Sequence, residues 1–340
     1  MTQSSGRMSM QRCFIYFLSI GGSCLFIIFI LFRFTSPIVS FPIPISVGYR
    51  RRPECLCLRP ELTPNFTKNA SPSYLCSTYA TQRGANQRII SISLFGPKEN
   101  RMFQLNKSLT FLNELINDMN VIYSDGFVLR VHHDDTIGFQ DVICPLECQH
   151  PNVDFCSMSS KLYIPPKIWR FIPAGDPLVD IMMSRDLDSA LTPRERSSVD
   201  AWLASKKSFH AMRDHPMHGV PMLGGMWGFR PASNPELRHM IHKKVHQEDL
   251  VRRYGGRGDQ TFLAQQVWPH AKSDILVHDS FLCKHNYGQT PSPFPTQRRS
   301  ANETNCFVGC VRPCCGRGKM PFGECPIECR PKDHPEWNYC

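Results

Sequence analysis

From Arg88 onward, short β-branched apolar runs alternate with segments whose apolar residues recur at helical spacing, and this alternation confines the chain to an α/β sheet. Ile89 to Phe95 (IISISLF) reads as a buried strand closed by the turn pair Gly96-Pro97. Leu109 to Tyr123 places Leu112, Leu115, Ile116 and Met119 on one helical face, and Phe127 to Val131 (FVLRV) is a second strand. Strand, helix, strand implies parallel pairing, because parallel neighbours need a long crossover. A further cycle begins with the strand Val179 to Met183. Thr192-Pro193-Arg194-Glu195 then supplies a capping box with proline at the first helical position, opening a helix that shows Val199, Trp202 and Leu203 on one face. Phe209 to Met212 and Ile275 to Asp279 are further strands, and Pro235 to Val245 and Gln260 to Val267 are helices. The expected fold is a mixed, mainly parallel α/β sheet flanked by helices, with ligands beyond the carboxyl ends of its strands.

The flanks differ from this body. Cys13 to Phe32 contains no charge, and as a helix its ~20 residues span the roughly 30 Å of a hydrocarbon core. It runs into Arg33 without a small-x-small cleavage site, so an uncleaved anchor is expected in preference to a signal peptide. Basic residues flank both sides and leave the orientation open. Two features assign the large part to the lumen: acceptor tripeptides at Asn65, Asn69, Asn106 and Asn302, and 14 of the 16 cysteines, which follow the apolar run. The expected organisation is a cytosolic tail at 1–12, a signal-anchor at 13–32, a Pro/Ser/Thr/Asn-rich lumenal stem at 33–85, a folded domain at 86–300 and a cysteine-rich segment at 301–340. That is a single-pass type II protein of the Golgi or endoplasmic reticulum membrane.

The formal charge of +10 comes from scattered residues with no basic stripe and no aromatic interleaving, which argues against nucleic acid. No nucleophile elbow, dinucleotide loop or Walker loop is present, so hydrolase and kinase chemistry lack a basis. Cys306, Cys310, Cys314, Cys315, Cys325 and Cys329 have spacings that could serve zinc, but in the lumen disulfides are expected, with pairing not fixed by the sequence. Cys55, Cys57 and Cys76 are expected to pair with each other or with the body.

The sharpest chemical feature is Asp186-Leu187-Asp188, directly after the Val179 to Met183 strand. Carboxylates at i and i+2 point the same way off an extended segment and can share one hard cation, Mn²⁺ or Mg²⁺. Such a cation offsets the charge that develops on a departing diphosphate. The rival reading is an exposed acidic turn before a helix. Gly224, Gly225 and Gly228 around Trp227 let backbone approach a ligand and offer an indole for a sugar to stack on; the alternative is a tight turn with a core tryptophan. Arg213, Asp214 and His215 suit phosphate binding or proton transfer, or equally a surface ion pair. Gly96 gives a base and ribose close access, or simply ends a strand. His132, His133, Asp134 and Asp135 form a polar cluster whose spacing fits no metal site.

The segment Trp169 to Pro231, with SRDLDS and MRDHPMHGVPMLGGMWGFRP, resembles a little-characterised group of glycosyltransferase-like proteins of the nucleotide-diphospho-sugar transferase (GT-A) fold, found in animals and in bacterial polysaccharide loci. The similarity continues through YGGRGDQTFLAQQVWP, LVHDSF and FPTQRR, from about Ile89 to Val308. The resemblance implies a sugar-nucleotide donor, a glycan or glycoprotein acceptor, and SRDLDS, including Arg185, as the metal and nucleotide motif. It implies that the RDHP to GMWG loop meets the donor or acceptor sugar. It makes Asp259 the second acidic site, near the reacting sugar, where an N-cap is the alternative. It makes His278 a third metal ligand, where a satisfied structural histidine is the alternative. The anchor, stem and cysteine-rich tail depart from the bacterial pattern and leave the substrate open. A transferase-like fold that binds glycans or scaffolds without catalysis is the competing expectation, and a homodimer is compatible with either.

Overall fold

The computed structural model describes residues 54–62, 75–96, 101–256, 258–284, 287–298, 307–313 and 323–340. The expected tail, membrane span, much of the stem, and the acceptors Asn65, Asn69 and Asn302 lie outside the described residues, as do Cys306, Cys314 and Cys315. Within them no helix is long and apolar enough to cross a membrane.

Seven strands run in chain order as Gln87–Leu94 (β1), Phe127–His133 (β2), Val153–Ser157 (β3), Val179–Ser184 (β4), Phe209–Arg213 (β5), Trp227–Phe229 (β6) and Ile275–Asp279 (β7). They form one sheet in the order β3-β2-β1-β4-β6-β5-β7. β1 pairs in parallel with β2 and β4, β2 with β3, and β5 with β7; β6 is antiparallel to both β4 and β5. The expected mixed, mainly parallel sheet is therefore present.

Strands buried on both faces need apolar residues at successive positions, and β1 has them. Ile89 packs with Val128, Met182, Phe209 and Phe229 on one side. Ile90 packs on the other with Leu129 and Met183, under Leu115 of Arg101–Ile122 (α1) and Trp202 of Pro193–Ala204 (α2). Pro235–His246 (α3) covers the first side through Ile241 and Val245. Burying each such aliphatic side chain contributes about 1.5–3 kcal/mol, so the sheet is held by an apolar cluster on each of its faces.

The α2 cap is half of the expected box. Thr192 Oγ1 accepts from the Glu195 N–H at 3.1 Å. The Glu195 carboxylate does not return to the cap; it accepts from Arg185 Nε at 2.7 Å and from the Tyr123 hydroxyl at 2.9 Å. A buried guanidinium is a stronger partner than a backbone amide.

Three disulfides, Cys55–Cys144, Cys57–Cys148 and Cys76–Cys156, join part of the expected stem to the body, closing loops of 89, 91 and 80 residues. Closing the first loop of this length restricts the unfolded chain by about 4.5 kcal/mol, and the others, which span nearly the same segment, add less. Arg59 and Arg83 add ion pairs to the buried Asp154 of β3. The folded unit thus includes residues 54–62 and 75–83, ahead of the boundary expected at residue 86. Cys283–Cys329 and Cys325–Cys340 bind the C-terminal segment, and the first consumes the thiols that would otherwise form a cluster with Asp279.

Several histidines are buried uncharged. Burial pushes His132 down to about 3 and His278 down to about 4, and lowers His210 as well. The unfolded chain takes up these protons near pH 6.5, whereas the folded chain excludes them until far lower pH. Stability is therefore full above about pH 7 and is lost as pH falls from about 6.5 toward 4, by on the order of several kcal/mol. Urea melts across that interval check this; a flat midpoint from pH 7 to 4.5 would rule it out.

Candidate active site

A cleft of about 750 Å³ opens beyond the carboxyl ends of β1 and β4. Parallel neighbours that end together leave a crevice there. β1 delivers Ser93 and, just past its end, Phe95; β4 delivers Asp186, Leu187 and Asp188. The antiparallel β6 begins beside the end of β4, so Leu223, Gly225 and Met226 of the loop before it form an adjoining wall. Asp259 and Gln260 enter from the one-turn helix Asp259–Phe262 (α4), Lys107 and Phe111 from α1, and Lys167 and Arg170 from the segment before β4. Met217, His218 and Val220 complete the rim.

Arg170 organises the floor. One guanidinium nitrogen, Nη1, donates to Asp186 Oδ1 and to the Arg185 carbonyl at 3.0 Å; the other, Nη2, donates to Asp259 Oδ2. Burial pushes the guanidinium down and the two carboxylates more than reverse that, so its pKa lies above the ordinary value. Asp259 also accepts from the Gln260 N–H at 2.9 Å. It is the first helical residue; the cap position belongs to Gly258, whose φ of 83° suits glycine. Asp186 and Asp259 are thus held together from sequence positions far apart, which the alternative of an isolated N-cap does not require.

Gly224 and Gly225 are explained by these acids. A Cβ on Gly224 would land on the Asp259 carboxylate, and one on Gly225 would land on that of Asp186. The glycines make room for the carboxylates of the floor, a different use from the expected approach of backbone to ligand.

Asp188 differs from its neighbours. Burial, and next the charge of Asp186, raise its pKa, and among the described residues no cation pairs with its side chain. A half-buried carboxylate beside a second one fits a divalent cation, which would relieve both the desolvation and the repulsion.

Other expected site residues lie elsewhere. Arg185 is buried against Glu195, with Nη1 donating to the Ser184 carbonyl at 2.8 Å and the Trp227 carbonyl at 3.2 Å, so it points away from the cleft. Trp227 is fully buried in β6 with its ring edge against Phe171, and it offers no face to a sugar. His278 is buried, its Nδ1 bonded to His210 Nε2 at 2.9 Å, and is not a ligand beside Asp186 and Asp188. Gly96 follows Phe95 and donates its N–H to Thr136 Oγ1 at 3.2 Å. His215 stands behind the rim, 5.5 Å from the His218 ring, with its pKa lowered by burial. Arg213 and Asp214 are buried: Arg213 pairs with Asp279 at 2.6 Å, and Asp214 pairs with Arg194 at 3.0 Å. His132 bonds Ser91 Oγ at 3.3 Å, and His133, Asp134 and Asp135 do not line the cleft.

The segment 307–313, expected to belong to a separate tail, is part of the site. Gly309 lines the cleft, the Val308 N–H donates to Asp214 Oδ2 at 3.0 Å, and the Arg312 N–H donates to the Asp188 carbonyl at 2.8 Å.

Arg170 and His218 were not singled out from sequence. Arg170 lies 16 and 89 residues from its two acids, and nothing local marks it. His218 does carry a signal, being the second histidine of RDHPMH, one turn beyond the first.

No protein-family model and no curated protein matches the chain. Among solved structures, it is similar to a glycosyltransferase involved in the glycosylation of the major capsid of PBCV-1, with 12% identity and a TM-score of 0.30 over 60% of this chain and 90% of that one.

Proposed function

We propose that the cleft binds a sugar nucleotide and that the protein transfers its sugar to a glycan or glycoprotein acceptor. The observation that carries this reading is the convergence of Asp186, Asp188 and Asp259 in one 750 Å³ cleft at the strand ends, with Lys107 and Lys167 at its rim. That volume lies within the usual range for small-ligand sites. Asp186 and Asp188 would hold Mn²⁺ or Mg²⁺, which when bound supplies Lewis-acid neutralisation of a leaving diphosphate. Lys107 and Lys167 meet phosphate oxygens as point charges. Asp259 faces the acceptor side and orients a hydroxyl, while Phe95, Phe111 and Met217 give the sugar an apolar lip. The fold is of the GT-A kind, lumenal in the Golgi or endoplasmic reticulum on a single-pass type II anchor, a location favoured by the five disulfides among the described residues.

Titration calorimetry of UDP and GDP, with and without Mn²⁺, tests this on wild type and Asp188→Asn, a change that leaves the Arg170 contacts intact. Mn²⁺ is expected to tighten binding at least about tenfold in wild type and far less in the variant, the loss expected for a removed charged ligand. For either nucleotide, affinities that are the same with and without Mn²⁺ in both proteins discard the reading.

One observation favours a transferase-like protein without turnover: Arg170 already neutralises Asp186 and Asp259. Release of nucleoside diphosphate from a panel of sugar nucleotides separates the two.

A further inference from the structure

We infer that His218 is a fixed hydrogen-bond donor in the cleft, presenting its Nε2–H to an oxygen of the bound sugar nucleotide; this rests on the reading of the cleft as a nucleotide site. His218 lines the cleft beside Met217 and Val220. Its Nδ1 accepts the backbone N–H of Asp214 at 3.1 Å. A neutral imidazole has one ring lone pair to give, and here it is spent on that amide, so the proton resides on Nε2. Such a ring has no lone pair left for a metal or for proton abstraction, and what it can offer a ligand is a donor.

Both the ring and its loop are held in place. Asp214, which supplies the amide, is itself pinned by Arg194 at 3.0 Å, Ser280 Oγ at 2.7 Å and the Val308 N–H at 3.0 Å. The His218 N–H donates to the His215 carbonyl at 3.0 Å, closing the loop, and Phe307 packs edge-on at 5.4 Å between ring centroids. Burial, and after it the neighbouring His215, lowers the His218 pKa to about 4, so the ring stays neutral at physiological pH. An uncharged donor beside Asp186 and Asp188 suits an oxygen that already shares the negative charge of a diphosphate, or a sugar hydroxyl next to it.

The test uses two substitutions that split the ring's two roles. In His218→Asn the amide oxygen stands where Nδ1 accepts from Asp214, and the cleft donor is lost. In His218→Gln the amide nitrogen reaches toward the Nε2 position. With UDP and a UDP-sugar panel in Mn²⁺, His218→Asn is expected to bind about tenfold more weakly while His218→Gln stays close to wild type. Loss with UDP and with pyrophosphate alike assigns the oxygen to phosphate, loss with UDP but not pyrophosphate assigns it to the nucleoside, and loss confined to UDP-sugars assigns it to the sugar. Undiminished binding by His218→Asn, equal loss in both variants, or an Nδ1–H tautomer in ¹⁵N spectra of the free protein overturns the inference. Failure of the nucleotide reading looks different: wild type binds no UDP or GDP although the tautomer is Nε2–H. Pyrophosphate is then the probe on the same three proteins, and no selective loss in His218→Asn overturns the donor role.

Discussion

Arg170→Met will lower the melting temperature by about 6–12 °C, the equivalent of roughly 3 kcal/mol in a domain of this size. Methionine keeps much of the aliphatic volume but removes the charge that joins Asp186 to Asp259. Asp259 is 7% exposed, so its carboxylate keeps only the Gln260 N–H and is left without a counter-charge away from water. The Asp186 side chain is 38% exposed and is better screened by solvent, which is why the lower end of the range for breaking a buried pair applies. The double variant Arg170→Met/Asp259→Asn should recover part of the loss, because the stranded charge is gone. Thermal and urea melts of the two proteins check this. A melting temperature within about two degrees of wild type for Arg170→Met would show that the guanidinium does not hold the floor together.

On the proposed reading of the cleft as a nucleotide site, Gly225→Ala will weaken binding or transfer by about 100-fold while costing only about 1–3 kcal/mol of stability. The added methyl group would fall on the Asp186 carboxylate and at 3.0 Å from the Asp186 backbone nitrogen. The side chain must swing away, taking Arg170 with it, and a displacement of about 1 Å is enough to undo a catalytic arrangement. Gly219→Ala is the control, since a Cβ there meets nothing within 4 Å. Calorimetry with UDP and Mn²⁺ on both variants, beside their melting curves, separates lost geometry from lost fold. Wild-type affinity in Gly225→Ala would mean that Asp186 has no part in binding.

The sheet was readable where its strands are continuous apolar runs. β1, β2, β4, β5 and β7 lie within a residue or two of their expected places, because burial on both faces imposes an unbroken pattern. β3 was missed because VDFCS carries an aspartate and a cysteine, and both are satisfied by partners remote in sequence, Arg83 and Cys76. β6 was missed because it is three residues long and contains glycine, and its tryptophan looked like a ligand platform. Within the site, Asp186, Asp188 and Asp259 were visible from local pattern and resemblance, and the structure brings all three to one cleft. Their organiser, Arg170, was not visible, since a single sequence gives no sign of which arginine meets which acid. His278 illustrates the converse: the resemblance implied a metal ligand there, but β5 runs alongside and sets His210 against it.

The docking of residues 307–313 against Asp188 and Asp214 also divides the fold into a scaffold and a seal. All seven strands precede that strap in the chain and none of their ladders includes it, so the sheet can assemble with one flank of the crevice open, and the last wall arrives only when the strap closes.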